Sequence, residues 1–285
     1  MSVHRKFIIP VFTASMLLSA CGGSSEEVKD EIENTNETST DESEEVDFIL
    51  PQPITLASQL KESGLPYVAG KANPTTNESK YSKKIDQLVN LGVYSTDLAY
   101  CAINNKSQEA RNYLTVIQKL GNSVGLESVF ADKDLINRFD KNLGNPGELE
   151  NLIYEIQERS DIYMEDNDLR YLAAVQFAGA WIEGMYLGID NARTKEDIGL
   201  AIVEQMSLLK NIIIGLKANP VKDDARLNDL IAKYEGVLTT YQGFASVKAV
   251  GGNVNTEVPQ LSKEEFDKLA EKITTLRNNV VSPSK

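Results

Sequence analysis

From Pro53 onward, apolar residues recur at steps of three and four, and no segment alternates with the period of two that a strand needs. The spacing predicts an all-α domain of packed helices. A short first helix runs from Pro53 to about Ser63 and stops at Gly64-Leu65-Pro66, before a polar loop through Asn73-Pro74-Thr75-Thr76. The next spans about Tyr81 to Ile103. Ser107 is the expected cap of a third, whose buried face carries Ala110, Leu114, Ile117 and Leu120. A shorter piece covers Lys133 to Leu143. Asn145-Pro146 reads as a cap followed by proline in the first turn, opening a helix to about Met164.

The most apolar stretch lies between Asp168 and Ile189, with Asn167 as its expected cap. Thr194 opens one continuous helix with the stripe Ile198, Ile202, Met206, Leu209, Ile213 and Leu216, closed before Pro220. Another covers about Asp223 to Gln242. A loop from Gly251 to Pro259 leads to Ser262-Lys263-Glu264-Glu265, a capping box in which serine and glutamate each satisfy an orphan backbone donor. Phe266, Leu269, Ile273, Leu276 and Val280 mark the last buried face.

A shift of 87 residues overlays the hairpin beginning near Ile85 on the one beginning near Leu172 without a gap. Gly92 then meets Gly179, Tyr94 meets Trp181, Asn104 meets Asn191 and Ser107 meets Thr194. Matched glycines and caps favour a compact bundle with two related hairpins, since glycine permits close backbone approach and caps satisfy donors. The segment from Leu98 to Ala110 faintly resembles a tetratricopeptide hairpin, but 87 is not a multiple of that repeat's period.

The N-terminus follows different rules. His4, Arg5 and Lys6 precede an apolar run from Phe7 to Leu18 that is too short for a stable span, and Leu18-Ser19-Ala20-Cys21 follows. That order of charge, apolar run, small residues, cysteine and Gly22-Gly23-Ser24-Ser25 resembles a bacterial lipoprotein signal with its lipobox. The resemblance implies a signal peptide over 1–20, a lipid-bearing (palmitate or similar) Cys21 at the mature N-terminus, and a tether over 21–52 ahead of an all-helical domain over 53–285. It also implies a location in the cell envelope, the membrane being engaged through the lipid. Gly22 resembles the outer-membrane sorting pattern, and Ser24-Ser25-Glu26-Glu27 is similar to the acidic export signals of Bacteroidota surface lipoproteins. The chain as a whole looks like a helical envelope lipoprotein of that group whose function is unassigned.

Charge sharpens this picture. Residues 22–47 hold eleven acidic residues and one lysine, a net of −10 within the chain's −13. Arg5 and Lys6 contribute +2, so the part from Phe48 onward carries only −5. The acidity belongs to a segment too poor in large apolar residues to fold, which self-repulsion would extend. No basic stripe exists, so no nucleic-acid partner is expected.

The one histidine, His4, falls in the signal. A chain without it has no imidazole for Ser-His-Asp or Cys-His catalysis, zinc or haem. Cys101 has no second unlipidated cysteine to pair with and sits among apolar residues, as a buried inert thiol would. No cofactor or metal is expected, and the Asp132-Lys133-Asp134 and Asp166-Asn167-Asp168 runs lack the glycine and closing glutamate of a calcium loop.

Carboxylates remain. Glu183 lies inside an apolar helix, where a bare charge must be paired, hydrogen-bonded or protonated. Its structural reading is a bond to Tyr, Lys or Arg of a neighbouring helix; its functional reading is a general base or ligand contact. Asp97 is the matching candidate in the first hairpin, and pseudo-symmetry would let the two acids approach each other. Tyr94, Trp181 and Tyr186, with Tyr100 and Tyr241, either line a pocket or fill the core. The leading expectation is a non-catalytic binding or scaffolding module; the alternatives are a carboxylate-dependent enzyme and an accessory subunit of an envelope complex.

Overall fold

The computed structural model describes residues 53–221, 223–251 and 258–283, which form twelve α-helices and two 3-10 turns, with no strand among them. The all-α expectation holds. The expected signal, the lipobox with Cys21, the acidic tether and the middle of the 251–259 loop lie outside the described residues.

The helices are α1 (Pro53–Glu62), α2 (Lys84–Ile103), α3 (Ser107–Val124), α4 (Glu127–Phe130), α5 (Lys133–Lys141), α6 (Pro146–Asp166), α7 (Arg170–Ala192), α8 (Glu196–Gln205), α9 (Leu209–Lys217), α10 (Ala225–Gln242), α11 (Ala245–Ala249) and α12 (Lys263–Val280). Expected caps at Asn145 and Ser262 are present, and Ser262 and Glu265 form the reciprocal box. Asp132 and Asp224 also cap, each accepting two backbone N–H bonds. The Asp132-Lys133-Asp134 run is therefore a helix start.

Three expected caps need correction. Ser107 is the first helical residue of α3, and Lys106 ahead of it makes no side-chain cap. Asn167 closes α6 by donating to Tyr163 O, because Asp168 turns left-handed (φ 57°) and separates it from α7. Thr194 bonds back to Asn191 O, and α8 starts two residues later at Glu196. The single helix expected from Thr194 to Leu216 is interrupted by a 3-10 turn at Met206–Leu208. Helix α2 starts at Lys84 rather than Tyr81, whose ring is buried and whose hydroxyl donates to Val281 O at 3.0 Å. Sequence periodicity did not reveal the short α4 and α11.

Helices α2 and α7 form the central pair and share the most extensive interface. By length and composition, Arg170–Ala192 and Glu196–Lys217 could each cross a membrane, but 89% of the apolar window of α7 is buried against its neighbours. The α2–α7 crossing depends on two glycines. A Cβ on Gly92 would stand 1.7 Å from Gln176 O, and one on Gly179 would stand 1.7 Å from Val89 O. Val89 and Gln176 are themselves 87 residues apart, so exchanging the two helices reproduces the contact. Helices α2 and α7 therefore cross with a local two-fold relation at their glycines. One turn onward, the Thr96 hydroxyl donates to Ala180 O at 3.0 Å and spans the same seam.

Candidate functional site

A polar centre lies beside the crossing, where the two-fold likeness breaks down. Glu183 corresponds to Thr96 in the repeat, and Asp97 corresponds to Gly184, so neither acid has an acidic counterpart. Helix α2 brings Asp97 and helix α7 brings Glu183, and both are fully buried. Helix α12 supplies Arg277. Its Nε donates to Glu183 Oε2 at 2.8 Å and its Nη2 to Oε1 at 2.9 Å, the fork geometry that makes arginine–carboxylate pairs strong. The Arg277 side chain is 9% exposed.

Asp97 Oδ2 accepts the Asn73 N–H at 3.1 Å, whereas Oδ1 has no donor among the described residues. Burial raises the Asp97 pKa well above the ordinary aspartate range, and the neighbouring Glu183 charge pushes it further; Arg277 and the Asn73 N–H oppose the shift. Two ionised carboxylates offer only acceptors to each other. A proton on Asp97 gives it a donor toward Glu183 and leaves the cluster electrically balanced: one carboxylate, one guanidinium and one neutral acid. Burial alone would lower the pKa of Arg277, but the Glu183 carboxylate outweighs it and holds the guanidinium charged.

The polar chain continues toward the surface. The Arg277 guanidinium lies 4.3 Å from the centroid of the half-buried Tyr186 ring, and Lys71 Nζ lies 4.0 Å from the same ring. Lys71 also pairs with the exposed Asp190.

Of the residues singled out in sequence, Asp97, Glu183 and Tyr186 meet around Arg277. Tyr94 is buried beside Asp97 and donates to Pro74 O at 3.0 Å. Trp181 belongs to a different environment, with its Nε1 donating to Gln205 O at 3.1 Å and its ring 6.0 Å from Tyr234. Tyr241 packs edge-on to Phe244, and Tyr100 binds the backbone of Pro66 and Val68. Cys101 is buried, and its thiol is pushed up to about 12, principally by burial.

Sequence reasoning missed Arg277, Asn73, Tyr81 and Tyr113. Arg277 left a trace: it stands four residues after Ile273 and three before Val280, a charge on the buried face of an amphipathic helix. Asn73 left none, because its role is carried by its backbone N–H and by the tyrosines that gather at it.

No group of three or more metal-ligating side chains occurs among the described residues. A shallow groove lined by Ala192, Gly199, Val203, Leu261 and Phe266 lies between α8 and the start of α12 and includes none of the acids of the polar centre.

No family model matches the chain. Searches of curated proteins and of solved structures likewise find no significant match. The site must therefore be read from its own chemistry. Two carboxylates closed off from water, one of them bound at both oxygens by a guanidinium, can fix three helices in register.

Proposed function

We propose that this chain is a lipid-anchored protein of the cell envelope, tethered through Cys21 and acting as a non-catalytic binding or scaffolding module. The observation that carries the non-catalytic reading is the burial of Asp97 and Glu183, with Glu183 bound at both oxygens by Arg277. A carboxylate-dependent enzyme would need one of these acids within reach of a substrate proton. The Leu18-Ser19-Ala20-Cys21 motif and the acidic stretch behind it support the anchor and its spacing.

The accessory-subunit alternative gains little support from apolar surface. Val68, Ile162 and Val221 are the large apolar residues that stand exposed among the described residues, one on α6 and the others in two separate loops. Recognition through a polar face is the reading that remains.

Labelling with a palmitate analogue, followed by membrane fractionation, tests the anchor. The full chain is expected to take up the label and to remain in the membrane fraction after a high-salt wash. Cys21→Ser is expected to lose both properties while keeping its helical circular dichroism. A Cys21→Ser protein that stays firmly membrane-bound would overturn the assignment.

A further inference from the structure

Residues 64–83 join α1 to α2 and cross over the polar centre. Leu65, Asn73 and Tyr81 are their three buried residues, and the only regular structure is the 3-10 turn Thr75–Lys80. Side chains beneath hold this segment mainly by its backbone. The Tyr100 hydroxyl donates to Pro66 O at 2.9 Å and accepts from Val68 N at 2.7 Å. Tyr94 donates to Pro74 O, and Tyr113 donates to Asn73 O at 3.1 Å. At the middle, Asn73 N–H donates to Asp97, and the Asn73 amide donates to the Tyr81 hydroxyl at 3.2 Å.

We propose that residues 64–83 are a strap latched over the buried centre by the neutral Asp97 carboxyl, and released when that carboxyl ionises. The geometry supplies the reason. Two acids from α2 and α7 face a single arginine from α12, so a second negative charge has no counter-ion. Asp97 would then lose its donor toward Glu183 and sit as an uncompensated charge in a dry core. Water is the cheapest remedy, and the strap is the route, because it has few buried residues while α2, α7 and α12 are packed along their lengths. Ionisation also strengthens the Asn73 N–H bond to Asp97. That single bond does not offset the desolvation of a second carboxylate together with its repulsion from Glu183.

Glu183 on α7 is held by Arg277 on α12. Tyr94, Tyr100 and Cys101 on α2, Tyr113 on α3 and Tyr81 in the strap all have their pKa values raised, chiefly by burial, and remain neutral. Lys71 and Glu78 also tie the strap to Asp190 and Lys119 at the surface, so Asp97 is the one buried carboxyl among its anchors.

Hydrogen exchange of the full chain, corrected for the intrinsic pH dependence of the chemistry, tests the latch at one pH below and one above the midpoint that the carbon-13 shift of the Asp97 carboxyl reports. Protection of the Val68 and Asn73 amides is expected to fall about tenfold or more, while the α2 and α7 amides hold. In Asp97→Asn, which stays uncharged, strap protection is expected to be the same at both pH values. Unchanged strap protection in the wild type, or an equal loss in Asp97→Asn, would overturn the proposal. Should Asp97→Asn fail to fold, the wild type alone decides. The carbon-13 shift of the Asp97 carboxyl must titrate with the same midpoint as strap opening, and distinct midpoints would refute the coupling.

Discussion

Replacing Gly179 with alanine perturbs the fold at its narrowest point. The added Cβ would lie 1.7 Å from Val89 O and 2.8 Å from Val89 C, so the obstacle is backbone and no side chain can swing aside. A carbon and a carbonyl oxygen approach no closer than about 3.3 Å, so α2 and α7 must part by roughly 1.5 Å. That separation stretches the 3.0 Å bond from Thr96 to Ala180 O beyond hydrogen-bonding distance and leaves the buried Thr96 hydroxyl without this acceptor, at about 1–3 kcal/mol. Overpacking itself adds about 1–3 kcal/mol. A total of about 2–6 kcal/mol is a large share of the roughly 5–15 kcal/mol that stabilises a typical domain. At about 2–4 °C per kcal/mol for a domain of this size, Tm is expected to fall by roughly 4–24 °C. Thermal circular dichroism measures it. Gly92→Ala should cost about as much, because its Cβ meets Gln176 O at the same 1.7 Å. The double variant should cost less than the sum, since helices already parted accept the second methyl more easily. A Gly179→Ala protein within about 1 kcal/mol of wild type would refute the close crossing and the local two-fold built on it.

The same logic with the opposite sign applies to Gly236→Ala in α10, where an added Cβ meets nothing within 4 Å. It is expected to stabilise by about 0.5–1 kcal/mol in chemical denaturation, and a loss of stability would contradict the open surface there. Stability should also depend on pH with a definite sign. Asp97 has a folded pKa raised above its unfolded value, so the folded state holds the extra proton and the stabilisation is complete below about pH 4. It is lost as pH rises through the folded pKa. The half-buried Asp161, raised by burial, acts in the same direction, so Asp97→Asn and Asp161→Asn should each flatten the decline that sets in above the acid range, while the buried thiol and tyrosines keep theirs at higher pH. Urea midpoints across pH check this, and a slope unchanged in both variants would refute it.

Much of the architecture was legible because its determinants are local. Apolar spacing of three and four located the long helices, and Asn145-Pro146 and the Ser262 box marked two starts at the right residue. Ser107, Asn167 and Thr194 misled because a cap is defined by backbone geometry, and a short polar side chain just outside a helix can equally bond backward to a carbonyl. The repeat was visible in the matched glycines, whose reason became plain only when the two helices were seen to cross at them. At the polar centre, sequence indicated that Glu183 needed a partner and that Asp97 could approach it. It did not indicate Arg277, which is 94 residues away along the chain. Nor did it reveal the strap, whose main contact with Asp97 is a backbone N–H that any residue but proline could provide.

Unfolding of Glu183→Gln and Glu183→Ala tests the structural reading of the polar centre most directly. Alanine strands Arg277 in the core, and breaking a buried pair in this way costs about 3–5 kcal/mol, reduced where Asp97 ionises and takes over the guanidinium. Glutamine keeps the shape and part of the hydrogen bonding, at about 1–3 kcal/mol. Both variants are expected to unfold at lower temperature than wild type, alanine more so. A centre kept for chemistry holds its carboxylates at a cost in stability, so a clear rise in Tm for Glu183→Gln would contradict the structural reading and return the enzyme alternative to first place.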